Sequence, residues 1–170
     1  MHLTTREIWA LAHGLLLGGP FLLAFAGGLV ALDGLRAEYL TTQGIAKQVK
    51  RLQFGTAGMA VIAWAIVLIG TWILLPWYAE DTPESPRSLL LSDPSTRNWH
   101  EFADVWKTHV AYMAPMLATA AAVLVGYYGP RLARDRSLRN LVFVLFLGAF
   151  AVASIAALIG SLVTRAAPLR

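Results

Sequence analysis

Four stretches of the chain run without a single Asp, Glu, Lys or Arg: Ile8 to Leu32, Phe54 to Trp77, Thr108 to Tyr128 and Leu141 to Val163. Within them apolar residues follow one another with neither the two-residue alternation of a half-buried strand nor the polar face of a surface helix. Each stretch meets the roughly 20 residues that a helix rising 1.5 Å per residue needs to cross a hydrocarbon core of about 30 Å. Lipid offers no partner to a free backbone amide, so apolar runs of this length must satisfy their hydrogen bonds internally. The pattern therefore predicts an all-α fold, an integral membrane four-helix bundle, with the whole of residues 1–170 as a single membrane domain.

Composition agrees. Hydrophobic residues make up 57% of the chain and charged residues 14%, against about 25% charged in ordinary soluble domains. Outside the spans there are only short tails and three connections, too little for a separate soluble catalytic domain. There are no cysteines, which removes disulfides, thiolate metal sites, iron–sulfur clusters and thioether-linked haem.

Charge adds an orientation. The connection from Asp33 to Gln53 carries Arg36, Lys47, Lys50 and Arg51, and that from Gly129 to Asn140 carries Arg131, Arg134, Arg136 and Arg139. The connection between them holds Glu80, Asp81, Glu84, Asp93, Glu101 and Asp104. By the positive-inside rule the two basic connections face the cytoplasm, which puts both termini and the acidic segment outside a cytoplasmic (inner) membrane. The net charge of +4 thus reads as a topology signal, and nucleic acid is not an expected partner. Ala24-Phe25-Ala26 resembles a signal-peptidase site, but the apolar run continues past it to Leu32, so the first span is read as a retained helix.

The chain also echoes itself. Leu68-Ile69-Gly70-Thr71 near the end of the second span matches Leu158-Ile159-Gly160-Ser161 near the end of the fourth. Trp9, His13 and Pro20 open the first span in the order in which Trp106, His109 and Pro115 open the third. Two repeated helical hairpins in parallel orientation would give this pattern. Gly14 and Gly18 form a G-x-x-x-G step; Ala118, Ala122 and Gly126, and Ala149, Ala153 and Ala157, form further small faces on which helices can approach closely. Pro20 and Pro115 are expected to bend their helices.

Candidate chemistry is sought among polar groups at membrane depth, where they are costly. His13 and His109 fall on different helices at comparable depth, the arrangement in which two neutral imidazoles hold a b-type haem iron. Met113 and Met116 are further axial candidates, and Trp77, within Pro76-Trp77-Tyr78, forms one wall of an aromatic cleft for a haem edge or a quinone ring. Asn98 and Glu101 predict a capped helix start. On that helix His100 and Asp104 share a face as metal ligands can, while His109 lies about half a turn away from His100; a metal site there would need His2, His13 or another chain. Ion-coupled transport and intramembrane hydrolysis are discounted, because no span holds a carboxylate, lysine or arginine, or a Ser-His or paired-Asp arrangement.

These observations lead to three readings. The first is a small membrane subunit of a respiratory or photosynthetic electron-transfer system, with one haem b near the outer face and a basic soluble electron carrier docking on the acidic segment. The second is a structural or assembly subunit packing against other membrane subunits, and the third a quinone or lipid binding protein. Catalysis by the chain alone is not expected in any of them.

Overall fold

The computed structural model describes residues 3–36 and 41–166, and these are predominantly helical, as the apolar pattern predicts. Four helices are long and apolar enough to cross a membrane: α1 (Thr5–Gly34), α2 (Thr42–Tyr78), α4 (Pro94–Tyr128) and α6 (Arg136–Ala166). Two short helices, α3 (Pro86–Ser92) and α5 (Arg131–Arg134), sit in the connections. Each long helix extends beyond its apolar run, because the flanking residues are amphipathic or capped rather than turn-forming.

The caps explain the starts. The Thr4 hydroxyl accepts from the Glu7 amide while the Glu7 carboxylate accepts from the Thr4 amide, a reciprocal pair that opens α1. Thr41 accepts from the Gly44 amide at the start of α2. Helix α4 begins at Pro94 and not at Asn98: Asp93 accepts from the Ser95 amide at 2.8 Å, and Pro94 supplies a first helical residue with no amide to satisfy. Gly129, at φ 35, ends α4 in a conformation that costs a side-chain-bearing residue more.

Helix α1 packs along α2, α2 along α4 and α4 along α6, whereas α1 and α6 touch over a much shorter stretch. The chain is thus two antiparallel hairpins joined through α2 and α4. Midway along the bundle Phe21, Met59, Ala63, Ala118, Ala121, Phe146 and Ala149 are buried together. A second cluster of Leu32, Leu35, Leu52, Val125, Leu132 and Val142 closes the end that bears the arginine-rich connections, hereafter the arginine end. Phe146 stacks near Phe25 and fills the space below Gly28, where an added Cβ would lie 2.6 Å from its ring. Gly28 also meets Gly55, whose Cβ would lie 3.3 Å from the Gly28 Cα. The expected step at Gly14 and Gly18 is not the contact between hairpin helices, since both face open space; Gly28 and Gly55 are.

The opposite end, which carries the chain termini, is built differently. Residues Ala12–Leu16 of α1, Gly70–Leu74 of α2 and Trp106–Val110 of α4 are π-helical turns. The amide of Leu17 reaches the Ala12 carbonyl at 3.0 Å, and that of Ala111 reaches Trp106 at 2.8 Å, each five residues back. A proline lies just past each turn: Pro20, Pro76 and Pro115. A proline ring has no amide to donate and crowds the carbonyl four residues earlier, here that of Leu16, Trp72 or Ala111. A widened turn just ahead of the ring relieves that crowding. The anticipated bends at Pro20 and Pro115 are thus expressed as π turns.

Candidate functional site at the terminal end

The π turns bring the polar side chains of this end together. His13 is the second residue of the α1 turn, and its ring packs on Gly70, the first residue of the α2 turn, where a Cβ would stand 3.0 Å from the imidazole Cε1. Lys107 is the second residue of the α4 turn, and its ammonium lies over Gly160 of α6, where a Cβ would stand 3.4 Å from Nζ. The two glycines are those of the repeated Leu-Ile-Gly sequences. In each hairpin, then, a basic side chain from the π turn of the incoming helix rests on the matching glycine of the outgoing one.

This geometry corrects the repeat read from sequence. His13 corresponds in place to Lys107, not to His109. Each π turn adds a residue to one helical turn and rotates the helix beyond it, so residues counted at 3.6 per turn across it come out on the wrong face. Lys107 also lies well inside the helix that forms the third span, thirteen positions from its start by residue number (Pro94 to Lys107). Lys107 stands immediately before the charge-free run that begins at Thr108, so it belongs to the helix that carries the third span although it precedes the apolar run itself.

The surroundings are polar but incompletely paired. His13 and Lys107 are half-buried and within electrostatic reach of each other. Among the described residues no carboxylate lies within 4.0 Å of Lys107; the ion pairs present are Arg6 with Glu80 and Arg36 with Asp33. The Nδ1 of His13 and the Nε1 of Trp106, the neighbour of Lys107, are buried without a hydrogen-bond partner. Tyr112 donates to the Thr71 hydroxyl at 3.0 Å, tying α4 to the α2 π turn directly beside Gly70. Buried polar nitrogens left without partners cost free energy, about 1–3 kcal/mol each, and point to a group that would hydrogen-bond to them.

The other sequence candidates lie elsewhere. His109 is exposed, with its Nδ1 2.7 Å from the Thr108 hydroxyl; the structure does not draw it into the cluster with His13. Met113 and Met116 are 48% and 61% exposed and face outward. Trp77 lies beneath the Arg6 guanidinium, 5.5 Å from its ring centroid, and Arg6 pairs with Glu80 at 3.1 Å, so this tryptophan clasps the ends of α1 and α2. His100 is buried and shares a hydrogen bond with the Tyr78 hydroxyl, while Asp104 is exposed. His2 lies outside the described residues. No group of three or more His, Cys, Asp or Glu able to hold a metal occurs among the described residues.

No protein-family model matches the chain, and neither a curated protein nor a solved structure does.

Proposed function

We propose that the chain is a membrane subunit of an electron-transfer system whose terminal-end cluster receives the head group of a lipid-soluble quinone. The observation that carries this reading is the convergence of His13 and Lys107 on Gly70 and Gly160, with the His13 Nδ1 and the Trp106 Nε1 lacking partners. A quinone carries two carbonyl acceptors on a flat apolar ring, and its reduction places negative charge on those oxygens. An imidazole within the first apolar run and an ammonium at the edge of the third match both properties, and ionisable residues at membrane depth are functional candidates by default. π turns in membrane helices recur at such sites.

The remaining features fit the same role. Lys and Arg counting puts the arginine end in the cytoplasm and the His13 cluster in the outer half of the bilayer. The exposed carboxylates of Asp81, Glu84, Asp93, Glu101 and Asp104 then offer a basic soluble carrier a docking surface on the outside. Gly14 and Gly18 face open space beside exposed Leu15 and Leu16, a surface on which a helix of another membrane subunit can seat. A b-type haem is a weaker fit. It asks for two imidazoles turned toward one iron, and of the two candidates His13 alone faces the helix interface.

The test is titration of the purified full-length protein in mild detergent with decylubiquinone, read by quenching of intrinsic tryptophan fluorescence. Saturable binding that weakens about tenfold in both His13→Leu and Lys107→Met is expected, each variant removing one charge-assisted or imidazole hydrogen bond. Equal affinity in the wild type and both variants would overturn the quinone reading. A reduced-minus-oxidised visible spectrum of the same sample serves the haem alternative: a sharp alpha band lost in His13→Ala would transfer the electron carrier to iron.

A further inference from the structure

A third unpaired buried atom lies at the other end of the molecule. The Nε of Arg139 is buried and has no hydrogen-bond partner. Arg139 lines a cavity of about 280 Å³ together with Arg36, Arg136 and Asn140. These residues come from two connections far apart in sequence: Arg36 lies just past α1, whereas the others belong to the first turns of α6. No carboxylate is among the described lining residues.

The arrangement is more than a row of topology signals. Arg131 and Arg134, equally part of the basic connection, do not line the cavity. Arg139 is fixed in place: one terminal nitrogen donates to the carbonyls of Leu132 at 2.7 Å and Ala133 at 3.3 Å, which holds the guanidinium across the end of α5. Two acids among the described residues of these connections already have partners. Asp135 accepts from the Leu138 amide at 3.0 Å, and Asp33 pairs with Arg36 at 3.4 Å on the solvent side. Three guanidinium groups around one cavity repel each other unless an anion lies between them. The planar fork of arginine matches the oxygens of a phosphate and binds it through charge-assisted hydrogen bonds.

We infer that this cavity binds the phosphate of an anionic phospholipid, with Arg36, Arg136 and Arg139 as ligands and Asn140 as a neutral polar partner. The lipid origin rests on position. The cavity lies between the end of α1 and the start of α6, neighbouring long helices that touch over only a short stretch. Leu141 and Val144 of α6 and Val30 of α1, apolar residues further along these helices, are exposed and offer acyl chains a path toward the bilayer centre. Basic pockets between membrane helices on the cytoplasmic side are suited to such head groups.

Thermal unfolding of the full-length protein in detergent, with phosphatidylglycerol, phosphatidylcholine or inorganic phosphate added, tests the assignment. Phosphatidylglycerol should raise the midpoint saturably and phosphatidylcholine should not. The phosphatidylglycerol concentration giving half the effect should rise about tenfold in Arg136→Gln and in Arg139→Gln and stay unchanged in Arg131→Gln, whose side chain lies outside the cavity. Because Arg139 also holds the α5 carbonyls, Arg136→Gln and Arg36→Gln keep the test decisive if Arg139→Gln fails to fold. An equal loss in Arg131→Gln would show diffuse attraction to the basic face and overturn the site. Saturation by inorganic phosphate to the same extent would overturn the lipid origin.

Discussion

At the arginine end Leu32, Leu35, Leu52, Val125, Leu132 and Val142 are 2% exposed or less, all but Leu35 on regular α-helical backbone. At the terminal end none of the residues in the three π turns is buried, and the side chains that meet there are an imidazole, an ammonium, a phenol and a threonine hydroxyl. The two hairpins therefore share one construction along part of their length and diverge from it at one end. Where helices keep 3.6 residues per turn, small and branched side chains interlock and the bundle gains its packing. Where a proline widens a turn, the rotation presents polar groups to one another that regular helices would have spread round the axis. Close packing and polar contacts thus fall at different depths of the same bundle.

The largest expected effect belongs to the packed side. Phe146 is fully buried, stacks near Phe25 and lies under Gly28. Phe146→Ala should lower stability by about 3–5 kcal/mol, the cost of the lost contacts plus the cavity left behind. Gly28→Ala approaches the same contact from the other side: its Cβ would clash at 2.6 Å with the ring, and overpacking of this kind costs about 1–3 kcal/mol. Chemical unfolding in mixed micelles measures both. If Phe146→Ala were as mild as a substitution in a π turn, the division of the molecule into a packed part and a polar part would fall.

That division is only half legible in the sequence. Spans are easy to read because lipid tolerates neither charges nor unpaired amides, so the apolar runs announce four helices and the arginine-rich connections announce their ends. Helix starts are harder. A start at Asn98 overlooks the Asp93-Pro94 cap ahead of it, since the first turns of α4 carry Ser95, Arg97 and Asn98, which look like a loop when only hydropathy is followed. Lys107 escapes for a related reason. A charge terminates an apolar run by definition, so a lysine on the helix that carries the span becomes the last residue of a loop when the run is measured from Thr108. The repeated Leu-Ile-Gly is the available signal, because two glycines at matching positions invite the question of what rests on them. Pairing His13 with His109 instead assumes an unbroken 3.6-residue period, and no residue pattern marks a π turn except the proline beyond it.

The next effect in size should fall on binding rather than on stability, and it should separate the two hairpins. Gly70→Ala sets a methyl 3.0 Å from the rigid His13 ring, whereas Gly160→Ala sets one 3.4 Å from the end of the flexible Lys107 side chain. In both variants the exchange of glycine for alanine favours the helix by up to about 1 kcal/mol, which offsets the crowding. Unfolding midpoints should therefore move little, while affinity for decylubiquinone should fall several-fold in Gly70→Ala and less in Gly160→Ala. The same fluorescence titration checks this order. Equal losses would mean that the imidazole is no more constrained than the lysine, and the asymmetry within the pseudo-repeat would be withdrawn.

The smallest effect lies at the surface, where α4 begins its course toward Lys107. Asp93 is fully exposed, and hydrogen bonds to its carboxylate from the Ser95 hydroxyl at 2.7 Å and the Ser95 amide at 2.8 Å hold its carboxyl below the usual carboxylate range. A carboxyl depressed in the folded state stabilises that state above its ordinary value of 3.8 and ceases to do so as pH falls through the lower folded value. The first turn of α4 should accordingly loosen in acid below about pH 4, seen as faster hydrogen exchange at the Ser95 amide. In Asp93→Asn the amide side chain still caps the helix but does not titrate, so exchange there should track only the intrinsic pH dependence. Because Asp93 is solvated, the change should stay within this turn and leave the Lys107 π turn unmoved. Acid loosening that spread to Lys107 would show the cap and the cluster to be one cooperative unit, and the boundary between frame and site would have to be drawn at Pro94 rather than at Trp106.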